Sequence, residues 1–158
     1  MSFEKSLKKG DIGEIVIQEY LEKKGWIVYR PSTDGAHLWD MFCTKGKDKM
    51  IALDVKTKAR FNKWNAQGID HTSYNYYLKQ SKKHKIPFYL FFIDDKNGDV
   101  HLGDLEKLSN TEHFFLGDGN KKVIVWDLKY MKKLFTVSDS VIKKMGKFDQ
   151  RNYGYNPE

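Results

Sequence analysis

Ile51-Ala-Leu-Asp-Val-Lys-Thr-Lys58 alternates the branched apolar residues Ile51, Leu53 and Val55 with Ala52, Asp54 and Lys56. A period of two is that of a β-strand. One face is therefore expected to pack into a core. The other carries a carboxylate and an ammonium two residues apart, side by side. A metal-dependent hydrolase uses such a pair directly: the carboxylate holds a divalent cation, and the ammonium sits beside the attacking water or the charge developing on phosphate. Asp-x-Lys is a common tripeptide, and for it alone a strand with one solvated face and an incidental pair is the better account. The surrounding chain has to separate the two readings.

Upstream, Gly46-Lys-Asp-Lys49 forms a turn, which makes Leu38–Thr44 and the Ile51 strand an antiparallel hairpin. Asp40, near the start of the first strand, then comes close to Asp54 across the pair. Two carboxylates on neighbouring strands can share Mg²⁺, a cation that prefers oxygen ligands and keeps several waters. Asp34 is a rival to Asp40, but it lies in Pro31–Gly35, whose composition is that of a turn. The competing account of Asp40 is a strand-edge acid facing solvent. Trp26–Arg30, bounded by Gly25 and Pro31, reads as a further strand.

Ser2–Lys24 reads as a helix ended by Gly25. Phe3, Leu7, Val16, Ile17, Tyr20 and Leu21 lie on one side, and Lys5, Lys8, Asp11, Glu19, Glu22 and Lys23 mostly on the other. Glu14 departs from this pattern. It is a heptad from both Leu7 and Leu21, so it projects beside the apolar stripe, where an acid needs a partner or a task. Gly10 and Gly13 are costly inside a helix and suggest close backbone approach. The alternative is a helix that starts only at Asp11, with Glu14 in a capping or surface role.

Downstream, Ala59–Gly68 is expected to be an irregular loop carrying Arg60, Phe61, Lys63 and Trp64. With Lys56 and Lys58 before it, such a loop suits a phosphate backbone, with Trp64 either stacking on a base or tucked into the domain. Lys58 continues the parity of Asp54 and Lys56. Asp70–Lys85 has helical spacing, with Tyr74, Tyr77, Leu78 and Ser81 on one stripe; Tyr74 is a candidate base contact, though such stripes more often belong to a core. Pro87–Ile93 is an apolar strand at the centre of the sheet. Asp95–Gly98 turns into Val100–Leu102, Leu105–Leu108 is a short helical turn, and Val123–Trp126 is a strand. Tyr130–Phe135 and Ser138–Met145 are expected to be helices, the latter capped by Ser138.

The 158 residues suit one domain, residues 1–146, followed by a polar tail, 147–158. Forty per cent hydrophobic residues imply a packed domain rather than a disordered chain. The net charge of +7 favours a polyanionic partner. Cys43 is the only cysteine, so no internal disulfide is possible, and no Cys/His group has zinc spacing. The sequence has no membrane-spanning run and no signal-peptide pattern at Met1, so a cytoplasmic protein is expected.

The order is helix, three strands, helix, strand. With Glu14 on the first helix, Asp40 on the second strand and Asp54-Val-Lys56 on the third, the chain resembles the PD-(D/E)XK nuclease superfamily. In size and in its helical acid it is similar to the archaeal-type Holliday junction resolvases and related small phage and bacterial nucleases. The resemblance covers roughly the first two-thirds of the chain. It implies an α/β fold with a restriction-endonuclease-like αβββαβ core, a mixed sheet flanked by helices, and a small C-terminal strand and helix elaboration. It implies Mg²⁺, with Mn²⁺ as a substitute, held by Asp40, Asp54 and the Val55 carbonyl and completed by Glu14. Lys56 would orient or activate water for in-line hydrolysis of a DNA phosphodiester, and a homodimer would serve a two-fold junction. Two positions depart from the pattern. Leu38-Trp39 precedes Asp40 where the name-giving proline would stand, and Asp54 replaces the commoner Glu, shortening its reach by one methylene. The other readings are a non-catalytic nucleic-acid-binding module of the same fold and a restriction or homing endonuclease.

Overall fold

The structure is a computed structural model that describes residues 2–31 and 39–146, with side chains from Lys9 onward in the first helix. Asp34, Leu38, the tail from residue 147 and the side chains of Phe3, Lys5, Leu7 and Lys8 lie outside the described residues.

The chain begins with α1 (Ser2–Lys23), which ends at Gly25, whose φ of 93° is the left-handed value glycine adopts without steric cost. Strands β1 (Ile27–Tyr29), β2 (Met41–Lys45) and β3 (Lys49–Thr57) follow as an antiparallel meander. Next come β4 (Ala66–Asp70), α2 (His71–His84), β5 (Phe88–Ile93) and β6 (Asp99–Asp104). The remaining elements are α3 (Leu105–Ser109), β7 (Phe114–Leu116), β8 (Val123–Asp127), β9 (Lys132–Thr136) and α4 (Asp139–Gly146). The six-stranded sheet runs β1-β2-β3-β5-β6-β9. Only β3 and β5 pair in parallel, so the sheet is mixed, and β4 and α2 make the crossover between them. A second sheet runs β4-β8-β7.

Both faces of the large sheet are covered. Leu53, Val55, Phe91 and Ile93 point to one side and pack with Ile17 and Leu21 of α1 and Met145 of α4. Ala52, Phe88, Leu90 and Phe92 point to the other and pack with Tyr74 and Tyr77 of α2 and with Ile69, Ile124 and Trp126 of the small sheet. The apolar run of β5 is explained by this two-sided burial. The same geometry changes the reading of β3: the face bearing Asp54 is not solvated, and Asp54 is only 3% exposed. Gly13 lets α1 come this close. A Cβ there would lie 2.0 Å from Thr57 Oγ1, so a larger residue would force the Thr57 side chain or the helix to shift.

Two expectations are corrected. Ala66–Gly68 is not loop but the start of β4, paired with β8. A loop-like composition does not exclude a strand when buried neighbours supply the other half of the ladder. The segment expected to be a helix from Tyr130 to Phe135 contains β9, paired with β6. Six residues are too few for a helical period to be distinguished, and the open edge of β6 offers hydrogen bonds that an isolated turn of helix lacks. Strand β7 was also not foreseen in the sequence. Among the described residues no helix is long and apolar enough to cross a membrane.

Candidate active site

Register places Asp40 opposite Asp54. Met41 pairs with Leu53, and the Asp40 N–H donates to the Leu53 carbonyl at 3.1 Å. Asp40 therefore extends the β2 ladder by one residue, and parity turns it to the face of Asp54. Its Oδ2 accepts from the Val55 N–H at 2.7 Å, so the backbone of β3 orients it. Burial, and then the charge of Asp54, push the Asp40 carboxyl up to about 8.

Lys56 follows on the same face, with Nζ 2.8 Å from Asp54 Oδ2. Burial works to lower the Lys56 pKa, but Asp54, Asp40 and Asp70 outweigh it and hold the value above the ordinary one. Asp54 Oδ2 is buried, and the Lys56 ammonium is the charged partner beside it. Two adjacent carboxylates that share one ammonium are what a hard cation would satisfy. Asp40, Asp54 and a main-chain carbonyl are suitable donors for Mg²⁺. Among the described residues no group of three or more His, Cys, Asp or Glu could by itself hold a metal ion. Such a cation would thus keep several waters, as Mg²⁺ does.

Glu14 approaches from α1, near enough for its charge to act on Asp40 and for that of Asp54 to act on it. Burial raises its carboxyl pKa, Arg30 lowers it, and Asp11 and Asp54 raise it again; the net direction is upward. Arg30, just past β1, puts Nη2 3.5 Å from Glu14 Oε1 and donates from Nη1 to Gln18 at 3.3 Å. Sequence reasoning missed Arg30, although an acid beside an apolar stripe signals that a cation is near. It also passed over Tyr77 as more than core. This α2 residue lies against Asp54, and burial followed by the Asp54 charge raises its phenol pKa. A second signal existed here too: α2 had to cover the face of β3 that carries Asp54.

The expected DNA-contacting residues do not form one surface. Lys58 shares the parity of Lys56, but its Nζ donates to the Gly68 carbonyl of β4, and burial followed by the charge of Lys56 pushes its pKa down to about 8. Arg60 is held in place by acids: Nε donates to Asp94 at 2.7 Å, Nη2 to Asp99 at 2.8 Å, and Nη1 to Asn65 at 2.6 Å. A cation with these partners is a structural clamp rather than a free phosphate contact. Tyr74 is 8% exposed and packs on Trp126, which removes it as a base contact. Lys63 remains on the surface, its Nζ 5.4 Å from the ring of Trp64. Trp64 takes an intermediate position, packed against Phe114 yet 38% exposed.

A cavity of about 710 Å³ lies at the other ends of β3 and β5, lined by Trp26, Met50, Ile51, Lys85 and Pro87 among others. It contains none of the three acids, so concavity and chemistry lie in different places.

No protein-family model matches the sequence, and no curated protein matches it. Solved structures do. Among them is Hjc, a Holliday junction resolvase from the archaeal hyperthermophile Archaeoglobus fulgidus, with a TM-score of 0.55 at 14% identity; the match covers 90% of this chain and 99% of that one. The chain thus has the restriction-endonuclease-like α/β fold of that resolvase, a mixed sheet flanked by helices.

Proposed function

We propose that this protein is a Mg²⁺-dependent DNA endonuclease of the PD-(D/E)XK type, acting on branched DNA in the manner of a junction resolvase. One observation carries the reading: Asp40, Asp54 and Lys56 meet on one face of a resolvase-like sheet, with one ammonium for two adjacent carboxylates. A binding module has no use for this arrangement, because buried acids repel phosphate unless a cation offsets them.

When bound, Mg²⁺ would polarise the phosphate and favour ionisation of a water. Asp40, Asp54 and the Val55 carbonyl would hold it, with Glu14 joining directly or through water. Fixing Asp40 on the Val55 N–H sets that carboxylate before any ligand arrives, so little is reorganised on binding. Lys56 keeps its proton, as its raised pKa requires, and its ammonium would orient the attacking water and offset charge on the phosphate. Water attacks phosphorus in line and gives up its proton to solvent, the opposite P–O bond breaks, and the departing oxygen takes a proton from solvent. Symmetric cutting of a junction would require two copies of the site, hence a dimer.

Cleavage of plasmid, single-stranded, flap and four-way-junction DNA with Mg²⁺ tests the reading. Asp54→Asn should abolish cutting while retaining the fold and DNA binding, because an amide is a poor ligand for a hard cation. Undiminished cutting by that variant would make Asp54 structural and remove the proposal.

A further inference from the structure

The small sheet carries an aromatic and basic patch that the nuclease reading does not use. Phe115, on the edge strand β7, pairs with Ile124, which pairs in turn with Ile69. Residues in register share a face. Ile69 and Ile124 are buried under α2, whereas Phe115 is 43% exposed. The cause is where α2 starts. Its first residue is His71, whose N–H donates to the Lys122 carbonyl at 2.9 Å, and no helix continues over Phe115.

What surrounds Phe115 is chemically specific. His71 and His113 meet its ring edge to face, at centroid distances of 5.3 and 5.4 Å. Lys122 Nζ stands over the ring, 4.3 Å from its centroid. His71 in turn stacks on Tyr74 at 6.1 Å. A partly exposed ring between two imidazoles with a lysine ammonium over it offers a nucleotide two contacts: the flexible lysine swings to the phosphate, and the base takes the place of the ammonium on the ring. The patch also adjoins the candidate active site through sequence. Asp70, which precedes His71, acts by its charge on Lys56, Lys58 and Tyr77.

We propose that Phe115, braced by His71 and His113 and assisted by Lys122, is a stacking platform for an unpaired base, so that the protein favours DNA with a single-stranded segment at or near the branch. The assignment deepens the nuclease reading and rests on it for its purpose, although not for its test. An unpaired base is specified because stacking uses the face of a base, which a continuous duplex keeps covered by its neighbours. The net charge of +7 and the exposed Lys121 beside Lys122 suit the same polyanion.

The test is metal-free binding by the full chain, followed by fluorescence anisotropy, with oligothymidylate, a flap and a fully paired duplex as probes. Phe115→Ala is expected to weaken binding to the single strand and the flap about tenfold, leaving the duplex within about twofold. Phe115→Leu, which keeps apolar volume without the ring, should lose as much, and Phe115→Tyr should retain affinity. 2-Aminopurine in the flap should show stacking quenching with wild type that disappears in Phe115→Leu. Single-strand affinity unchanged in Phe115→Leu, or equal losses on the duplex, would overturn the platform. Cleavage with Mg²⁺ separates the two readings. If no DNA is cut but the ring-dependent loss is present, the nuclease reading fails and the platform stands. Cutting abolished by Asp54→Asn together with unchanged single-strand binding gives the reverse.

Discussion

Two acidic clusters are tied to the same central strands, and they are balanced in opposite ways. Beyond the end of β5, Asp94 accepts from Arg60 Nε through Oδ2 and from the Lys96 N–H through Oδ1. Asp99 is met by Arg60, Lys133 and Thr136. Burial works to raise the Asp99 pKa, yet the hydrogen bonds from Lys133, Thr136 and Arg60 bring it below the ordinary value. Around β3 the direction reverses: Asp40 is pushed up by burial and by Asp54, and the two carboxylates share one ammonium, that of Lys56. Acids that serve the fold are neutralised by the fold. Acids left short of positive charge are the ones prepared for a partner the chain does not supply.

The largest expected effect breaks the balanced cluster. Arg60→Ala should lower stability by about 3 kcal/mol, because Asp94 would be left buried without its cation. Asp54→Asn should cost much less in metal-free buffer, because Asp40, no longer facing a second charge, ionises in its place beside Lys56. Urea unfolding of both variants reads the difference, and a comparable loss in the two would erase the contrast.

Metal should sharpen it. Mg²⁺ at a hundred times its dissociation constant would stabilise the wild type by about 2.7 kcal/mol if it binds only the folded state. Asp54→Asn should lose that gain, whereas Arg60→Ala should keep it. A thermal shift with Mg²⁺ that survives Asp54→Asn would place the cation elsewhere.

The smallest effect concerns the lysines. Lys56 is held above its ordinary pKa, whereas Lys58 is pushed down to about 8. For Lys58 the unfolded chain binds the proton more tightly than the folded one. The cost of its charge is then fully present below pH 8 and fades as pH rises toward the unfolded value of about 10.4. Wild type should therefore gain stability relative to Lys58→Met across that window, on the order of 1 kcal/mol at a half-buried position. A flat difference between the two proteins from pH 8 to 10 would show that Lys58 is solvated.

Much of the candidate site was legible because it depends on strand parity. Asp54 and Lys56 are two residues apart, and the turn at Gly46–Lys49 sets the β2 register that brings Asp40 opposite. Neither relation needs knowledge of a distant residue. Arg60 shows where that reasoning stops. In sequence it is a basic residue in a loop after two lysines, the pattern of a phosphate contact. Its partners Asp94 and Asp99 lie 34 and 39 residues away, and only the packing of β5 and β6 brings them to it. Tyr74 and Tyr77 share one helical stripe, yet one meets Trp126 and the other Asp54.

The sequence by itself determined the alternation of β3, the hairpin, the buried run of β5 and the placing of three acids and a lysine on the elements that carry them, because these are periodicities and turns whose causes are local. Only the tertiary structure decided that both faces of β3 are covered, that Gly13 admits α1 against Thr57, that Arg60 clamps two acids, and that Phe115 stays partly exposed where α2 begins. The reason is physical. Burial and pairing depend on which distant surfaces meet, and a charge or a ring has the same letter in the sequence whether it ends against an acid, a core or open water.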